Sequence, residues 1–232
     1  MTIDLWFPTA VYTEYLNPSD EVRQEMLDYV EEFIKSNESM YSITGDTVNA
    51  FQISKEKEFT WLNKEIAKHC YKYLKEFGIN INTLDLFASK SWPVVCDPTQ
   101  RTATDVNTIE KHNHPNSHLS VIFYLQTDPN ENTGGELKLH ASPTHPIRYI
   151  PLAPHLEEQL YLSYDSGEYD PVTNQLIIFP SSVEHEVNLY RGSINRYSIT
   201  YDIIVTGKAN LEMDNEMCII NPDQWIPLSC QS

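Results

Sequence analysis

Two histidines one residue apart, His112 and His114, stand just ahead of the apolar run Leu119 to Leu125. A third, His185, sits between Glu184 and Glu186 just after the apolar run Leu176 to Phe179. In an extended chain residues i and i+2 project to the same side, so the first pair can face one ion while Asn113 points away. Imidazole nitrogens suit iron, zinc, copper or nickel, and three ligands on one face leave positions open for substrate, which favours a catalytic centre over a closed structural one. Arg196 follows His185 by 11 residues, and the same alternation places Ser198 and Thr200 on its face. A guanidinium can fork onto a carboxylate bidentately, so one cation and two hydroxyls could converge on one anion.

Other residues compete for these roles. Glu110 shares the face of His112 and His114 if the strand extends back that far, and it is an alternative third ligand. His118 is near in sequence, but the turn at Pro115 leaves its direction open. His69 falls in a helical pattern, and His140, His145 and His155 lie in or near Pro-rich loops; they read as structural or exposed. Cys70, Cys96, Cys218 and Cys230 form no CxxC pair and no dense framework, so they read as reduced thiols. The contiguous His-Asn-His string does not make a nuclease, whose residues of that name are not contiguous. A formal charge of -17 also repels phosphate backbones and anionic lipid.

The elements that must position these residues follow from pattern and punctuation. A chain of 232 residues, 41% of them hydrophobic, can bury one sizeable core, and we expect a single domain spanning 1–232. Ile3 to Tyr15 predicts a strand interrupted by Pro8. Ser19 predicts an N-cap, and Val22, Met26, Val30 and Phe33 predict a helix to about Lys35. Thr60 could cap a second helix carrying Leu62, Ile66, Cys70, Leu74 and Phe77 on one face, stopped at Gly78. From Ile79 the texture becomes short β-rich runs: Leu84 to Phe87, Trp92 to Cys96, Leu119 to Leu125, Glu136 to His140, Ile147 to Ile150, Leu176 to Phe179, Glu184 to Tyr190 and Tyr197 to Val205. Asn132-Thr133-Gly134-Gly135 and Asp165-Ser166-Gly167 predict turns. The result is a mainly β antiparallel sandwich or barrel with helices covering a sheet. Its helical support spans about 19–78, its β core about 84–206 and its tail 207–232. The tail could pack back on the barrel, act as a lid or mediate a homodimer. With no basic n-region before an apolar run and no span-length apolar stretch, we expect a cytoplasmic protein without membrane or nucleic-acid partners.

The order HxH, VIFYLQ, GGEL, LIIFPSSVEHEV and RYSIT, spread over Trp92 to Ile204, resembles the Fe(II)/2-oxoglutarate-dependent dioxygenases, particularly the prolyl-hydroxylase-like group. That family's pattern runs HxD, YLN, GG-L, an apolar strand, a distal His-Glu-Val and a basic residue about ten positions on. The resemblance implies a double-stranded β-helix of the jelly-roll or cupin-like kind, with the N-terminal helices packed on one sheet. It implies that His112 and His185 bind Fe(II), that Arg196 pairs with the distal carboxylate of 2-oxoglutarate, and that Ser198 and Tyr124 add hydrogen bonds. It further implies O₂ as oxidant and hydroxylation of a peptidyl proline or other small substrate, with Trp92 and Pro93 as candidate pocket wall. The departure is His114, which stands where the family has the aspartate of HxD, so the ligand set becomes three histidines with one negative charge fewer. A non-redox cupin-like metal module and an interaction domain with a degenerate site are the readings of another class.

Overall fold

The computed structural model describes residues 8–36, 52–98, 109–130, 132–142, 164–208 and 221–225. Ser19 opens the first helix, α1 (Asp20–Ser36): its Oγ accepts from the Val22 N–H at 3.3 Å and its carbonyl from the Arg23 N–H at 3.0 Å. Asp20 and Glu21 in the first turn meet the positive end of the helix dipole. The second helix, α2 (Thr60–Glu76), begins differently from the expectation. Thr60 is its first helical residue and Phe59 the cap, without a side-chain cap bond, because the 3₁₀ turn Lys57–Phe59 leads straight into it. Gly78 ends it as predicted: φ is +75°, where a Cβ is penalised, and its N–H returns to the Lys75 carbonyl at 2.9 Å.

Nine strands are found among the described residues: β1 (Tyr12–Tyr15), β2 (Leu84–Cys96), β3 (Ile109–His112), β4 (Leu119–Gln126), β5 (Leu137–His140), β6 (Ser166–Tyr169), β7 (Gln175–Pro180), β8 (His185–Val187) and β9 (Arg196–Gly207). A five-stranded sheet has the order β1-β7-β4-β9-β2, and a four-stranded sheet the order β3-β8-β5-β6, with every pairing antiparallel. The chain passes back and forth between the two sheets, which is the double-stranded β-helix.

Side-chain alternation assigns each strand face a separate core. Val121, Phe123 and Leu125 of β4 join Tyr197, Ile199, Tyr201 and Ile203 of β9, Leu176 and Ile178 of β7, Met26 and Val30 of α1, and Leu62, Ile66 and Cys70 of α2. Both helices therefore cover the outer face of the larger sheet. Ile122 and Tyr124 point the other way, into a smaller cluster with Ile177, Phe179, Leu137, Leu139 and Val187 between the sheets.

Several expectations need correction. Leu84 to Phe87 and Trp92 to Cys96 are one strand, carried through by a register shift between Ala88 and Lys90. Ser166–Tyr169 is a strand although Asp165-Ser166-Gly167 predicted a turn; it is an edge strand paired only with β5, where such residues are tolerated. The strand after Glu184 covers only His185–Val187, with an isolated antiparallel bridge from Tyr190 to Gly134. The turn at Asn132 to Gly135 is as predicted, with positive φ at Asn132, Gly134 and Gly135. In the tail, Asn221 is buried and donates through Nδ2 to Asp85 Oδ2 at 2.9 Å, so this part packs back on β2. The expected strand Ile147 to Ile150, His145, His155, Cys218, Cys230 and most of 207–232 lie outside the described residues. No helix among the described residues is long and apolar enough to cross a membrane.

Phe123 is fully buried, with the Trp61 ring edge-on at 6.5 Å. Phe123→Ala should lower unfolding free energy by about 3–5 kcal/mol, read as a shifted urea midpoint at unchanged slope.

Candidate functional site

His112 and His185 are direct cross-strand partners of β3 and β8, which sets their rings 4.3 Å apart between centroids. His114 arrives by another route. The strand has ended at His112, and the His114 backbone N–H donates instead to the Ser181 carbonyl at 2.9 Å. Its ring nonetheless lies 5.1 Å from each of the other two. One donor atom from each of the three histidines falls within 4.8 Å of the others. Glu110 is not in this group: the register shifts by a residue between Ile109 and His112, so strict alternation from Glu110 to His112 is broken, and Glu110 is exposed.

Hydrogen bonds decide which nitrogen each ring presents. His112 Nδ1 lies 2.7 Å from the Glu110 carbonyl, His185 Nδ1 3.0 Å from the Val183 carbonyl, and His114 Nδ1 2.5 Å from Asp202 Oδ1. Carbonyl and carboxylate oxygens accept these bonds, so each Nδ1 carries a proton, and Nε2 is the nitrogen whose lone pair a neutral ring would present. Burial, with like-charge repulsion from the neighbouring histidines added, pushes His185 down to about 3, so it stays neutral and ready to ligate. The set fits a divalent first-row transition metal: three imidazole nitrogens, their orientation fixed from behind.

These rings open onto a cavity of about 480 Å³, also lined by Trp92, Ile122, Tyr124, Leu137, Phe179, Arg196, Ser198 and Thr200. The face Arg196, Ser198, Thr200 therefore converges there with Tyr124, which is the register partner of Ser198. Trp92 covers His114, with centroids 5.6 Å apart.

Arg196 is 1% exposed. Its Nη1 donates to the Gly135 carbonyl at 2.5 Å and its Nη2 to Cys96 Sγ at 2.9 Å, while the rings of Tyr190 and Tyr124 lie 5.5 and 6.0 Å from the guanidinium carbon. No carboxylate pairs with it among the described residues, and its Nε has no partner. Leaving a buried cation uncompensated is costly, so the pocket is suited to an incoming carboxylate. A Cβ at position 135 would strike Nη1, so glycine is needed there for this packing as well as for its φ of +80°.

Sequence reasoning missed Asp202, Cys96 and Tyr190 at this site. Asp202 continues the Arg196, Ser198, Thr200 alternation by one more step, a signal that was available. Cys96 faces Arg196 only through strand register.

The depressed His185 value has a thermodynamic consequence. Between its ordinary 6.5 and about 3 the unfolded chain takes up a proton that the folded one refuses, so this residue lowers stability as pH falls through that window. For metal-free protein, the fall in urea-unfolding free energy over that range should be shallower in His185→Gln than in the native chain, by up to about one proton in slope.

The family described as "Putative 2OG-Fe(II) oxygenase" matches residues 90–202. Among curated proteins, none matches the chain in sequence. Among solved structures, a Pseudomonas putida prolyl-4-hydroxylase shares 14% identity at a TM-score of 0.50, over 84% of this chain and 86% of that one. A Trichoplax adhaerens prolyl hydroxylase, in complex with a hypoxia inducible factor oxygen degradation domain peptide fragment, shares 17% at 0.50, over 84% and 83%. A 2OG-Fe(II) oxygenase family oxidoreductase from Burkholderia pseudomallei shares 17% at 0.41 over 63% of this chain, which spans only 55% of that relative's length. At these identities the two prolyl hydroxylase structures speak for the double-stranded β-helix fold alone. Residues 90–202, which hold the cavity, its three histidines and Arg196, match the 2OG-Fe(II) oxygenases, oxidoreductases that use Fe(II) with 2-oxoglutarate and O₂.

Proposed function

We propose that the chain is a hydroxylase coupling 2-oxoglutarate decarboxylation to oxidation of a C–H bond on a peptidyl proline or another small substrate. In this reading His112, His114 and His185 hold Fe(II), and Arg196, Ser198 and Tyr124 hold 2-oxoglutarate. The observation that carries it is the buried Arg196 guanidinium, without a carboxylate partner among the described residues, on the same cavity as the three histidines. When bound together, Fe(II), 2-oxoglutarate and O₂ supply the oxidising chemistry, with succinate and CO₂ as coproducts.

The chain's own residues bind, orient and exclude water. Glu110, Val183 and Asp202 keep the proton on each Nδ1 and so aim each Nε2 lone pair. Arg196 takes the distal carboxylate in a charge-assisted pair, its fork already set by Gly135 and Cys96. Burial pushes the Tyr124 phenol up to about 12, so it remains a neutral donor that does not repel the anion. Ile122, Leu137 and Phe179, all buried, line the cavity with apolar surface and limit the water that could compete for it. A peptide ligand in the Trichoplax neighbour supports a peptide as one substrate class, and the charge of -17 favours a basic one over an acidic one.

Protein handled without air should retain iron and develop a charge-transfer band with 2-oxoglutarate, then form succinate once substrate is supplied. Arg196→Ala should weaken 2-oxoglutarate binding on the order of 100-fold, since truncating one partner of a buried charge pair costs about 2–5 kcal/mol. Unchanged affinity in that variant overturns the assignment, and tightly held zinc indifferent to 2-oxoglutarate supports the non-redox module instead.

A further inference from the structure

The three histidines are supported unequally. His112 and His185 give their Nδ1 protons to neutral backbone carbonyls, whereas His114 gives its proton to a carboxylate, Asp202 Oδ1, at 2.5 Å. Asp202 is 5% exposed and forms no ion pair with Lys or Arg among the described residues. It does not line the cavity, whereas His114 does, so it stands behind the ring, on the Nδ1 side away from the free Nε2. A buried carboxylate needs positive charge nearby, and a cation on the far side of the ring it bonds would supply it. His114 is held elsewhere too: its backbone N–H by Ser181, its ring under Trp92, and Ser120 Oγ 3.4 Å from Nδ1.

Charge gives this arrangement its meaning. A divalent ion held by two histidines and a carboxylate carries about one net positive charge, and by three neutral histidines about two. We infer that Asp202 is a positioning residue that returns the missing negative charge to the metal site through the His114 ring. The carboxylate that related sites place on the metal is here displaced by one imidazole, on the neighbouring sheet. The inference rests on the proposal that His112, His114 and His185 are the metal ligands. A carboxylate behind a ligating histidine fixes the tautomer and raises the ring's basicity, and its removal typically costs about 10–100-fold in metal affinity.

The test is an anaerobic titration with Co(II) as the probe, followed by its visible absorption, in a two-by-two set of variants. Asp202→Asn should raise the Co(II) dissociation constant about 10–100-fold while the metal-free protein melts near the native temperature. In the His114→Asp background, where a carboxylate replaces the ring, the same substitution should change it by less than about threefold, because its route to the metal is gone. An unchanged constant in the native background overturns the inference, as does an equal loss in both backgrounds, which would place the effect in the fold. Should Asp202→Asn fold poorly alone, Asp202→Ser is read in the same two backgrounds: a loss of Co(II) affinity with His114 present and none in His114→Asp supports the route through the ring, and any other pattern overturns it. A native chain that binds no Co(II), or that keeps full affinity in His185→Ala, sinks the three-histidine site and this inference with it; a native chain that binds while Asp202→Asn is unaffected overturns the inference alone.

Discussion

The two-sidedness of β9 constrains everything else in the molecule. It lies between β2 and β4 and pairs with both, so every residue along the shared length has a fixed side. Tyr197, Ile199, Tyr201 and Ile203 are buried in the helix-covered core, while Arg196, Ser198, Thr200 and Asp202 face away from it. A slip of one residue would move two tyrosines and two isoleucines out of that core and drive a guanidinium and a carboxylate into it. The cost of burying those charges against Leu62 and Ile66 is several kcal/mol each, which is large against the net stability of a domain. Packing of the helices thus holds the polar face of β9 in register, although neither helix touches the cavity.

The smaller sheet contributes its part through a different constraint. His112 and His185 meet because they are opposite one another in an antiparallel pair, a distance set by backbone hydrogen bonding. His114 has no such pairing and depends on the segment after β7, where Ser181 takes its N–H and also receives hydrogen bonds from Ser117 Oγ at 2.8 Å and Ser120 Oγ at 3.0 Å. The site therefore joins two sheets: nitrogens mostly from one, the carboxylate-binding cation and the supporting anion from the other.

Much of this was legible in sequence because it obeys short-range rules. Period-two spacing foretold the shared face of Arg196, Ser198 and Thr200, and Ser19 and Gly78 marked helix ends by their own chemistry. The alternation argument for His112 and His114 reached the right neighbourhood for an incomplete reason, since the strand stops at the first of them. What failed was either edge or register. Ser166–Tyr169 has turn-forming residues and becomes a strand only because β5 offers a partner. Cys96 and Arg196 lie 100 positions apart, and His114 and Asp202 lie 88 apart; nothing local announces either contact. Thr60 shows the same limit in miniature, as a good capping residue displaced by a preceding 3₁₀ turn.

β9 holds two opposite charges on one face. Arg196 and Asp202 are six residues apart, about 20 Å along an extended strand, so they face the same interior but are too far apart to neutralise each other. Each must find its balance elsewhere. Asp202 has it partly, in the His114 proton, and the remainder requires positive charge beyond the ring. Among the described residues Arg196 has a carbonyl, a sulfur and two aromatic faces, and no carboxylate. The interior is thus polarised along one strand, its anionic end beside the histidines and its cationic end at the far wall. A ligand that is itself charged at one end and binds metal at the other is complementary to that polarity, and a neutral one of the same size would leave Arg196 uncompensated.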